Sequence, residues 1–367
     1  MTTVVAIVGY AGAYGRWLGS FFSERMACTV LGTDPSLPDA PTPASLLARA
    51  EVLVFATPIR QTPAIIADYV AQAGARSRQQ LWLDITSIKS PAVAAMLQGP
   101  AEVVGLHPMC AAPKTQTLRG RVLVVCEARL ERWRGWFDQL LAALEAQTTY
   151  TTPAEHDRVM ALVQGLVHAG HLAQAQVLAT QPESLRGLAA LLPYRSPSFA
   201  FDTAMISRLL ISNPSIYEDI QFLNPHVPEI LEQLAATVLQ MAAQVRAGDS
   251  TARQQWRQQN VTVPAQALGN AELQDGNTRF EHLAYLLADL AEPNAVVMHL
   301  PKDEPGQLRQ LLGAFAEAGV NLHSLHSSRD GQGRVLFRVG LDRSVAAQEV
   351  CAAIAALARS GTAVRIL

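Results

Sequence analysis

Cysteine and charge are both scarce in this sequence, and each shortage excludes classes of protein. The 367 residues include 4 cysteines, none of them spaced as CxxC, which argues against zinc ribbons and disulfide frameworks. Charged residues make up 16% of the chain and the net charge is −2, so nucleic acids and anionic membranes are not expected as partners. No apolar run approaches the roughly 20 residues that span a bilayer, and the first residues lack the basic region of a signal peptide. We therefore expect a cytoplasmic protein with no membrane partner.

The N-terminal stretch combines an apolar run, glycines, a helical pattern and one acid in a fixed order. Val4–Val8 predicts a buried strand, and Gly9, Gly12 and Gly15 follow it. Glycines let a backbone turn tightly and approach a pyrophosphate, which the free N–H groups of a helix N-terminus attract. Asp34 comes 19 residues after Gly15, where an acid accepts hydrogen bonds from a ribose 2′-hydroxyl and repels a 2′-phosphate. The pattern predicts a site for NAD rather than NADP.

The glycine spacing departs from the usual GxGxxG pattern at one position. Tyr10 stands where the first glycine of that pattern would be, and the alternative interpretation is an ordinary glycine-rich turn. A lone glycine motif is a weak signal, but the strand, the helix and the placed acid together favour the dinucleotide site. The residues expected to line it come from the turn, the second strand and the end of the third strand: Gly9, Ala11, Gly12, Tyr14, Gly15, Asp34, Thr57 and Pro58.

Residues 1–150 alternate between strand-like and helix-like segments. Apolar runs predict strands at residues 4–8, 29–32, 51–56, 80–83, 103–105 and 122–125. Near-continuous apolar strands with helical crossovers indicate a parallel sheet covered on both faces. We predict an α/β protein whose N-terminal domain, residues 1–150, is a Rossmann-type dinucleotide-binding domain.

Residues 151–292 lose the strand signals and become helical. Long helices are predicted at residues 154–179 and 227–247, and they are apolar on more than one side. A helix that is apolar all round needs burial, often against a second subunit. We predict an all-α domain that contributes to the substrate site and forms a homodimer.

The last segment, residues 293–367, predicts a third domain. Its pattern is strand, helix, strand, a turn at residues 330–333, strand, helix and strand. This βαββαβ order is that of ferredoxin-like units.

The ends of the predicted strands select the candidate catalytic residues, because ligands bind beyond the carboxyl ends of parallel strands. His107 follows residues 103–105 and is the candidate general base, since an imidazole titrates near neutrality. The alternative is a histidine that caps a buried loop. Ser87 has two possible roles: it orients that imidazole or the substrate hydroxyl from which the imidazole takes a proton, or it caps the next helix. Lys89 is expected to be structural or solvated.

The helical region adds His156, His168 and Arg208. His168 follows His156 by 12 residues, a little over three helical turns, so the two share a similar face. No carboxylate completes a convincing metal triad, so we predict no metal and expect His156 in a polar network. Arg208 lies in an apolar helical stretch and needs a partner, which is either a protein carboxylate or a substrate carboxylate.

Several of these segments together resemble the prephenate dehydrogenase family. The matching segments are IVGYAGAYGRWL, LDITSIK, GLHPM, AEHDRVMALVQGLVH and SRLLISNPSIYEDI, which occur in the family's order over residues 1–245. The C-terminal unit resembles an ACT domain through Asp303-Glu304-Pro305-Gly306-Gln307-Leu308 and residues 318–322.

The resemblance implies a reaction and roles for named residues. The reaction is the oxidative decarboxylation of prephenate to 4-hydroxyphenylpyruvate with NAD, in tyrosine biosynthesis. His107 would take the proton of the 4-hydroxyl, and Ser87 would bond to His107 or to the hydroxyl. Arg208 would hold a substrate carboxylate, His168 would line the pocket, and Tyr217 and Asp219 would support Arg208.

The sequence departs from the family pattern in places that bear on the substrate. Residues 110–114 lack the glycine and the acidic or hydroxyl residue often found there, and Ala200 stands where some relatives have arginine. These departures leave arogenate and 4-amino-4-deoxyprephenate open as substrates. A non-catalytic, NAD-bound amino-acid sensor is the alternative of another class.

The ACT resemblance implies an amino-acid effector bound at a subunit interface. We expect feedback inhibition by tyrosine, with Gly319, Val320 and Asn321 at the effector site. The alternative role for this domain is to stabilise the dimer.

Overall fold

The chain divides into two compact units, Met1–Arg246 and Ala247–Leu367. The computed structural model describes residues 2–291, 294–300, 304–329, 334–342, 344–359 and 361–366. The division into three domains at residues 150 and 292 stays a prediction.

A sheet forms the centre of the first unit. Within the described residues it has seven strands in the order β2-β1-β3-β4-β5-β6-β7. They are β1 (Val4–Val8), β2 (Thr29–Thr33), β3 (Val52–Phe55), β4 (Leu81–Asp84), β5 (Glu102–Pro108), β6 (Val122–Arg129) and β7 (Gln147–Tyr150). The strands β1 to β5 pair in parallel, which confirms the predicted Rossmann-type sheet.

The sheet is mixed rather than purely parallel, because β6 runs antiparallel to β5 and β7 runs parallel to β6. The segment between β5 and β6 contains no helix, and a parallel pair would need a long crossover connection. The prediction also ended β5 too early: the strand runs to Pro108, so His107 lies within it.

Helices cover both faces of the sheet because successive side chains of each strand point to opposite faces. Val5 and Ile7 belong to one core, and Ala6 and Val8 belong to the other. The first core is completed by α1 (Ala13–Arg25) and α5 (Arg134–Leu144), and the second by α2 (Pro43–Arg49), α3 (Thr62–Gln72) and α4 (Ser90–Leu97).

The rest of the first unit is helical, as predicted. Its helices are α6 (Pro153–Met160), α7 (Val167–Ala179), α8 (Leu188–Leu191), α9 (Pro197–Ile211), α10 (Pro214–Leu223) and α11 (Val227–Ala247). A π-helical segment, Ala161–Leu166, joins α6 to α7, so the predicted helix at 154–179 is continuous but locally widened. Such segments are rare and frequently occur at functional sites.

The second unit contains helices and a separate sheet. The helices α12 (Ser250–Arg257), α13 (Val263–Leu268) and α14 (Asn270–Ala291) precede it. Then follow β8 (Ala295–His299), α15 (Gln307–Glu317), β9 (Leu322–Arg329), β10 (Val335–Leu341), α16 (Ala347–Arg359) and β11 (Ala363–Ile366). In the described part of this unit, four antiparallel strands pair in the order β11-β8-β10-β9, which confirms the βαββαβ prediction. Asp303 and the turn at 330–333 lie outside the described residues.

Among the described residues, no helix is both long enough and apolar enough to cross a bilayer.

Candidate active site

The turn between β1 and α1 depends on two glycines. Gly9 has a φ of +89°, and a Cβ there would lie 2.4 Å from the Ala56 carbonyl oxygen. A Cβ on Gly15 would lie 2.2 Å from the Gly9 carbonyl oxygen. Gly12 is the N-cap of α1 and makes no side-chain capping bond. The helix N-terminus therefore presents backbone N–H groups in a closely wound turn, which is the arrangement that attracts a phosphate.

Tyr10, the residue that breaks the usual glycine pattern, has a packing role. Its ring lies against α1 and β2 at two glycines: a Cβ on Gly19 would lie 2.7 Å from the Tyr10 ring, and a Cβ on Gly32 would lie 2.4 Å from it. The ring therefore fills space that these two glycines leave, and the turn keeps its conformation through Gly9.

Asp34 follows β2 and is bonded to the glycine-rich turn. Its Oδ2 accepts a hydrogen bond from the Ala11 N–H (3.2 Å), and its Oδ1 accepts from the N–H (3.0 Å) and hydroxyl (2.7 Å) of Ser36. The bonds from Ser36 hold the pKa of Asp34 below its usual value. Asp34 is therefore an ionised acceptor beside the turn.

The segments that follow β3 and β5 lie close to this turn. The Thr57 methyl group would be 3.3 Å from a Cβ on Gly9, and the Pro58 carbonyl accepts from the Thr62 N–H at 3.0 Å. The Tyr14 hydroxyl donates to the Cys110 carbonyl at 2.6 Å, and burial raises the pKa of Tyr14. The segment 110–114, which departs from the family pattern, thus begins in contact with α1.

His107 is part of a buried chain of side chains. Its Nδ1 lies 2.9 Å from His156 Nε2, and His156 Nδ1 lies 2.8 Å from Asp157 Oδ1. His107, His156 and Asp157 are each at most 3% exposed. The backbone N–H groups of Lys89 (2.7 Å) and Ser90 (2.8 Å) donate to Asp157, at the start of α4.

Burial and neighbouring charges set the protonation of this chain. Burial, the nearby His156 and the Lys89 ammonium lower the pKa of His107 well below its ordinary value. Burial also lowers the pKa of His156. Burial opposes ionisation of Asp157, but hydrogen bonds from His156, Ser90 and Lys89 outweigh it and lower the pKa of this carboxyl. The hydrogen-bonded series His107–His156–Asp157 therefore consists of two neutral imidazoles and one carboxylate.

Lys89 is structural, and its alternative prediction as a solvated residue is wrong. Its side chain is fully buried, its ammonium is paired with Asp84, and it donates to the Leu106 carbonyl at 2.7 Å. Thr86 Oγ1 lies 2.6 Å from Asp84 Oδ1. This network holds the segment after β4 against β5 directly beside His107.

Ser87 is half-buried in that segment and, within the described part of the chain, makes no hydrogen bond. It does not cap α4, because Asp157 receives the N–H groups at the start of that helix. Its predicted contact with His107 or with a substrate hydroxyl stays a prediction.

The other predicted substrate residues lie along α7, α9 and α10. The His168 and Tyr217 rings meet edge to face, with centroids 5.0 Å apart. Burial lowers the pKa of His168, and the positive charge of Arg208 lowers it further. Arg208 is exposed in the last turn of α9, and among the described residues its guanidinium forms no ion pair or hydrogen bond. No protein carboxylate occupies it there.

Gln164, in the π-helical segment that precedes α7, contacts His107. Its amide nitrogen lies 3.4 Å from His107 Nε2, the nitrogen that does not face His156. Its amide oxygen is buried and finds no hydrogen-bond partner in the described part of the chain. Gln164 belongs to the π-helical segment, and His168 follows it by four residues, so the two extend to a similar side.

Sequence reasoning missed three residues of this region. Asp157 adjoins His156 in the sequence, and that adjacency was an available signal. Gln164 gave no signal, because its direction depends on the π-helical segment. Arg60 also gave none: its guanidinium binds the buried Asp219 carboxylate on α10, with Nε to Oδ1 at 2.9 Å.

The predicted effector residues lie between α15 and β9 in the second unit. Gly319 has a φ of +72°, which permits the turn there. Val320 is buried and its N–H donates to the Phe315 carbonyl at 2.9 Å, whereas Asn321 is exposed. Their role in effector binding stays a prediction.

Over the described ranges, no group of three or more His, Cys, Asp or Glu side chains is arranged to hold a metal ion.

Two family models match parts of the chain. Residues 152–258 match the "Prephenate dehydrogenase, dimerization domain", and residues 295–350 match the "ACT domain". These matches confirm the resemblance drawn from the sequence motifs for the helical region and for the C-terminal unit.

Curated proteins also match part of the chain. The chain is 32% identical over 222 residues to the T-protein of Enterobacter agglomerans, which covers 59% of this chain and 55% of that protein. The chain thus spans about half the length of the curated relatives it matches.

Solved structures resemble the fold at low sequence identity. A prephenate dehydrogenase from A. aeolicus, in complex with hydroxyphenyl propionate and NAD+, has a TM-score of 0.56 and 17% identity, over 71% of this chain and 97% of that chain. The arogenate dehydrogenase of Synechocystis has a TM-score of 0.54 and 15% identity, over 74% of this chain and 100% of that chain.

Proposed function

We propose that this chain is an NAD-dependent dehydrogenase that converts prephenate to 4-hydroxyphenylpyruvate by oxidative decarboxylation. The observation that carries the proposal is the position of His107. It is buried and neutral, one nitrogen bonds to His156, and the other lies 3.4 Å from Gln164, on the helical segment that continues into α7. His168 of α7 contacts Tyr217, and the positive charge of Arg208 acts on His168. A neutral imidazole and a guanidinium that forms no ion pair among the described residues together suit a substrate that carries both a hydroxyl and a carboxylate.

The glycine-rich turn and Asp34 fit NAD. Gly9, Ala11, Gly12, Tyr14 and Gly15 surround the N-terminus of α1, where a pyrophosphate would meet backbone N–H groups. Asp34 would accept hydrogen bonds from a ribose 2′-hydroxyl, and no lysine or arginine lies between residues 35 and 48 to bind a 2′-phosphate. Thr57 and Pro58 would contact the nicotinamide half.

NAD, when bound, accepts the hydride from C4 of the substrate. His107 accepts the hydrogen bond of the 4-hydroxyl through Nε2 and draws its proton as the hydride leaves. The bond from the ring to the carboxylate breaks, its electron pair completes the aromatic ring, and CO₂ departs. His107 returns the proton to the phenolic oxygen, so the net change is one hydride transferred and one CO₂ released.

Arg208 is proposed to hold the side-chain carboxylate of the substrate. A guanidinium forks onto a carboxylate with two parallel hydrogen bonds, and Tyr217 and His168 would line the path between Arg208 and His107. Because Ala200 offers no second guanidinium, residues 110–114 are proposed to contribute to reading the substrate's side chain. Ser87 is proposed to bond to the substrate hydroxyl.

NADH formation from prephenate and from arogenate, measured side by side with NAD and with NADP, tests the proposal. We expect turnover with prephenate and NAD, and loss of turnover in His107→Ala. Preference for arogenate would keep the mechanism and change the substrate. Turnover with neither would move the test to 4-amino-4-deoxyprephenate, and turnover that survives His107→Ala would refute the role of His107.

We also propose a homodimer in the cytoplasm, regulated by tyrosine through the ACT domain. The match of residues 152–258 to a dimerization domain supports the homodimer. The match of residues 295–350 to an ACT domain supports a small-molecule effector.

A further inference from the structure

Two buried residues next to His107, His156 and Asp157, do not contact the substrate in the proposed reaction. His156 and Asp157 are 1% exposed and are bonded to each other and to His107. The inference drawn from them rests on the proposed function, because it concerns the readiness of His107 to accept a proton.

Asp157 can act only as an acceptor. Its Oδ1 receives the Lys89 N–H and faces His156, and its Oδ2 receives the Ser90 N–H. Backbone N–H groups cannot accept, so both oxygens must be acceptors. These N–H groups precede and begin α4, whose dipole favours a negative charge at that end.

The acceptor at Asp157 fixes the proton on each imidazole in turn. A neutral imidazole carries one N–H and one lone pair. His156 Nδ1 faces the carboxylate, so it carries the proton and leaves a lone pair on Nε2. His107 Nδ1 faces that lone pair at 2.9 Å, so it carries the second proton. The lone pair of His107 is then on Nε2, the nitrogen that faces Gln164 and the proposed substrate pocket.

We propose that His156 and Asp157 are positioning residues that hold His107 in the tautomer with a free Nε2. Without them, His107 divides between two tautomers, and the one with a proton on Nε2 cannot accept the substrate's hydroxyl proton. The carboxylate also stabilises the positive charge that forms on His107 when it takes the proton. Two further charged groups, Lys89 and Asp84, form a buried ion pair beside these three side chains, and the Lys89 ammonium disfavours a positive charge on His107.

The variant His156→Phe tests whether His156 and Asp157 contribute to turnover by positioning His107. The ring volume is kept and both nitrogens are removed, while Asp157 keeps its bonds to the start of α4. We expect kcat to fall by about 100-fold, in the range of general-base effects, with the substrate KM changed by less than about threefold, because His156 does not contact the substrate. A loss confined to KM, or an unchanged kcat, would overturn the proposal.

His156→Gln is the conservative variant. Its amide oxygen can accept the His107 Nδ1 proton, so kcat should recover part of the loss seen with phenylalanine. The matched control is His326→Phe, since His326 Nε2 lies 3.0 Å from Asp289 in the second unit and has no part in the proposed chemistry. This control should keep the wild-type kcat.

The tautomers can be read without turnover. In protein labelled with ¹⁵N-histidine, the ring nitrogen shifts of His107, assigned by their loss in His107→Asn, should show a protonated Nδ1 and an unprotonated Nε2. In His156→Phe, the Nε2 signal should move towards the protonated value. A wild-type His107 with its proton on Nε2 contradicts the proposal. If no substrate turns over, the proposed function fails, and these spectra still show whether His156 and Asp157 set the tautomer of His107.

Discussion

His107 is a buried histidine whose Nε2 is proposed to accept a proton. Its side chain lies within β5, 3% exposed, and its Nδ1 is already bonded to His156. A histidine in such a place carries no charge, because burial and the neighbouring Lys89 disfavour the protonated form. Its basicity is therefore set by the core around it and not by the solvent.

The pH dependence of turnover should reflect this lowered pKa. The neutral form of His107 is the acceptor, and its pKa lies below the ordinary value of about 6.5. We expect kcat/KM to stay level as the pH falls from 8 through about 6.5 and to decline only at lower pH. A pH profile of initial rates measures this. An acid limb centred at or above the ordinary histidine pKa would contradict it.

The same shift makes stability depend on pH. Below about 6.5 the unfolded chain binds protons at His107 and His156 that the folded chain does not, so unfolding becomes more favourable as the pH falls. The thermal midpoint should therefore decrease from pH 7 to pH 5, and it should decrease less in His107→Asn than in the wild type.

At the scale of elements, α10 connects several parts of the proposed site. Asp219 binds Arg60 after β3, with the Arg60 N–H also donating to it at 3.1 Å. Gln221 donates to the Gly165 carbonyl in the π-helical segment at 2.9 Å, and Asn224, just after the helix, donates to the Asp157 carbonyl at 2.7 Å. This helix thus ties the segment after β3 to the elements that carry Gln164 and Asp157.

Arg60→Met should loosen that arrangement. Asp219 is buried, with its side chain 4% exposed, and it would lose the guanidinium while keeping one backbone bond. Small displacements of positioned groups are costly in catalysis, so we expect kcat/KM for the substrate to fall by about tenfold or more.

Arg134→Met is the matched control. Arg134 forms a two-bond pair with Glu127, at 2.6 Å for each bond, away from α10. Equal kinetics in both variants would show that the Arg60 pair has no positioning role.

The π-helical segment also belongs to this scale. Gly165 packs so closely on Val227 that a Cβ would lie 2.6 Å from the valine side chain. The widened turn and this close contact direct Gln164 towards His107. Because the contact joins residues far apart in sequence, helical periodicity could not reveal it.

At the scale of the whole molecule, the helices α9, α10 and α11 carry apolar side chains that are exposed to solvent in the single chain. Leu210, Phe222 and Leu239 are 62%, 82% and 71% exposed, in three different helices. Apolar surface of this kind is typical of an interface between subunits.

Equilibrium sedimentation should give twice the 39.5 kDa mass of one chain. Leu239→Glu should weaken the assembly, since a charge would be buried in the interface, whereas Leu97→Glu on α4 should leave the mass unchanged. A mass of one chain for the wild-type protein would refute the homodimer.

Inhibition by tyrosine is the second expectation for the whole molecule. Initial rates should fall with tyrosine in the millimolar range, and the fall should be reduced in Gly319→Ala, because alanine is strained at a φ of +72°. Unchanged rates with tyrosine would leave the ACT domain its alternative role in dimer stability.

The sequence alone determined what depends on local order. Hydrophobic periodicity defined most strands and helices, and the glycines with Asp34 defined the first turn, because backbone conformation at these positions follows from neighbouring residues. The motif GLHPM identified His107, but it could not show that β5 extends through it.

Only the tertiary structure decided which side chains meet. Asp157 reaches the start of α4 across 67 residues of sequence, and Arg60 reaches Asp219 across 159. The antiparallel pairing of β6, the buried Lys89 and the direction of Gln164 likewise depend on packing between distant segments. Such contacts are set by the shape and charge of surfaces that form only when the chain has folded, so no local pattern encodes them.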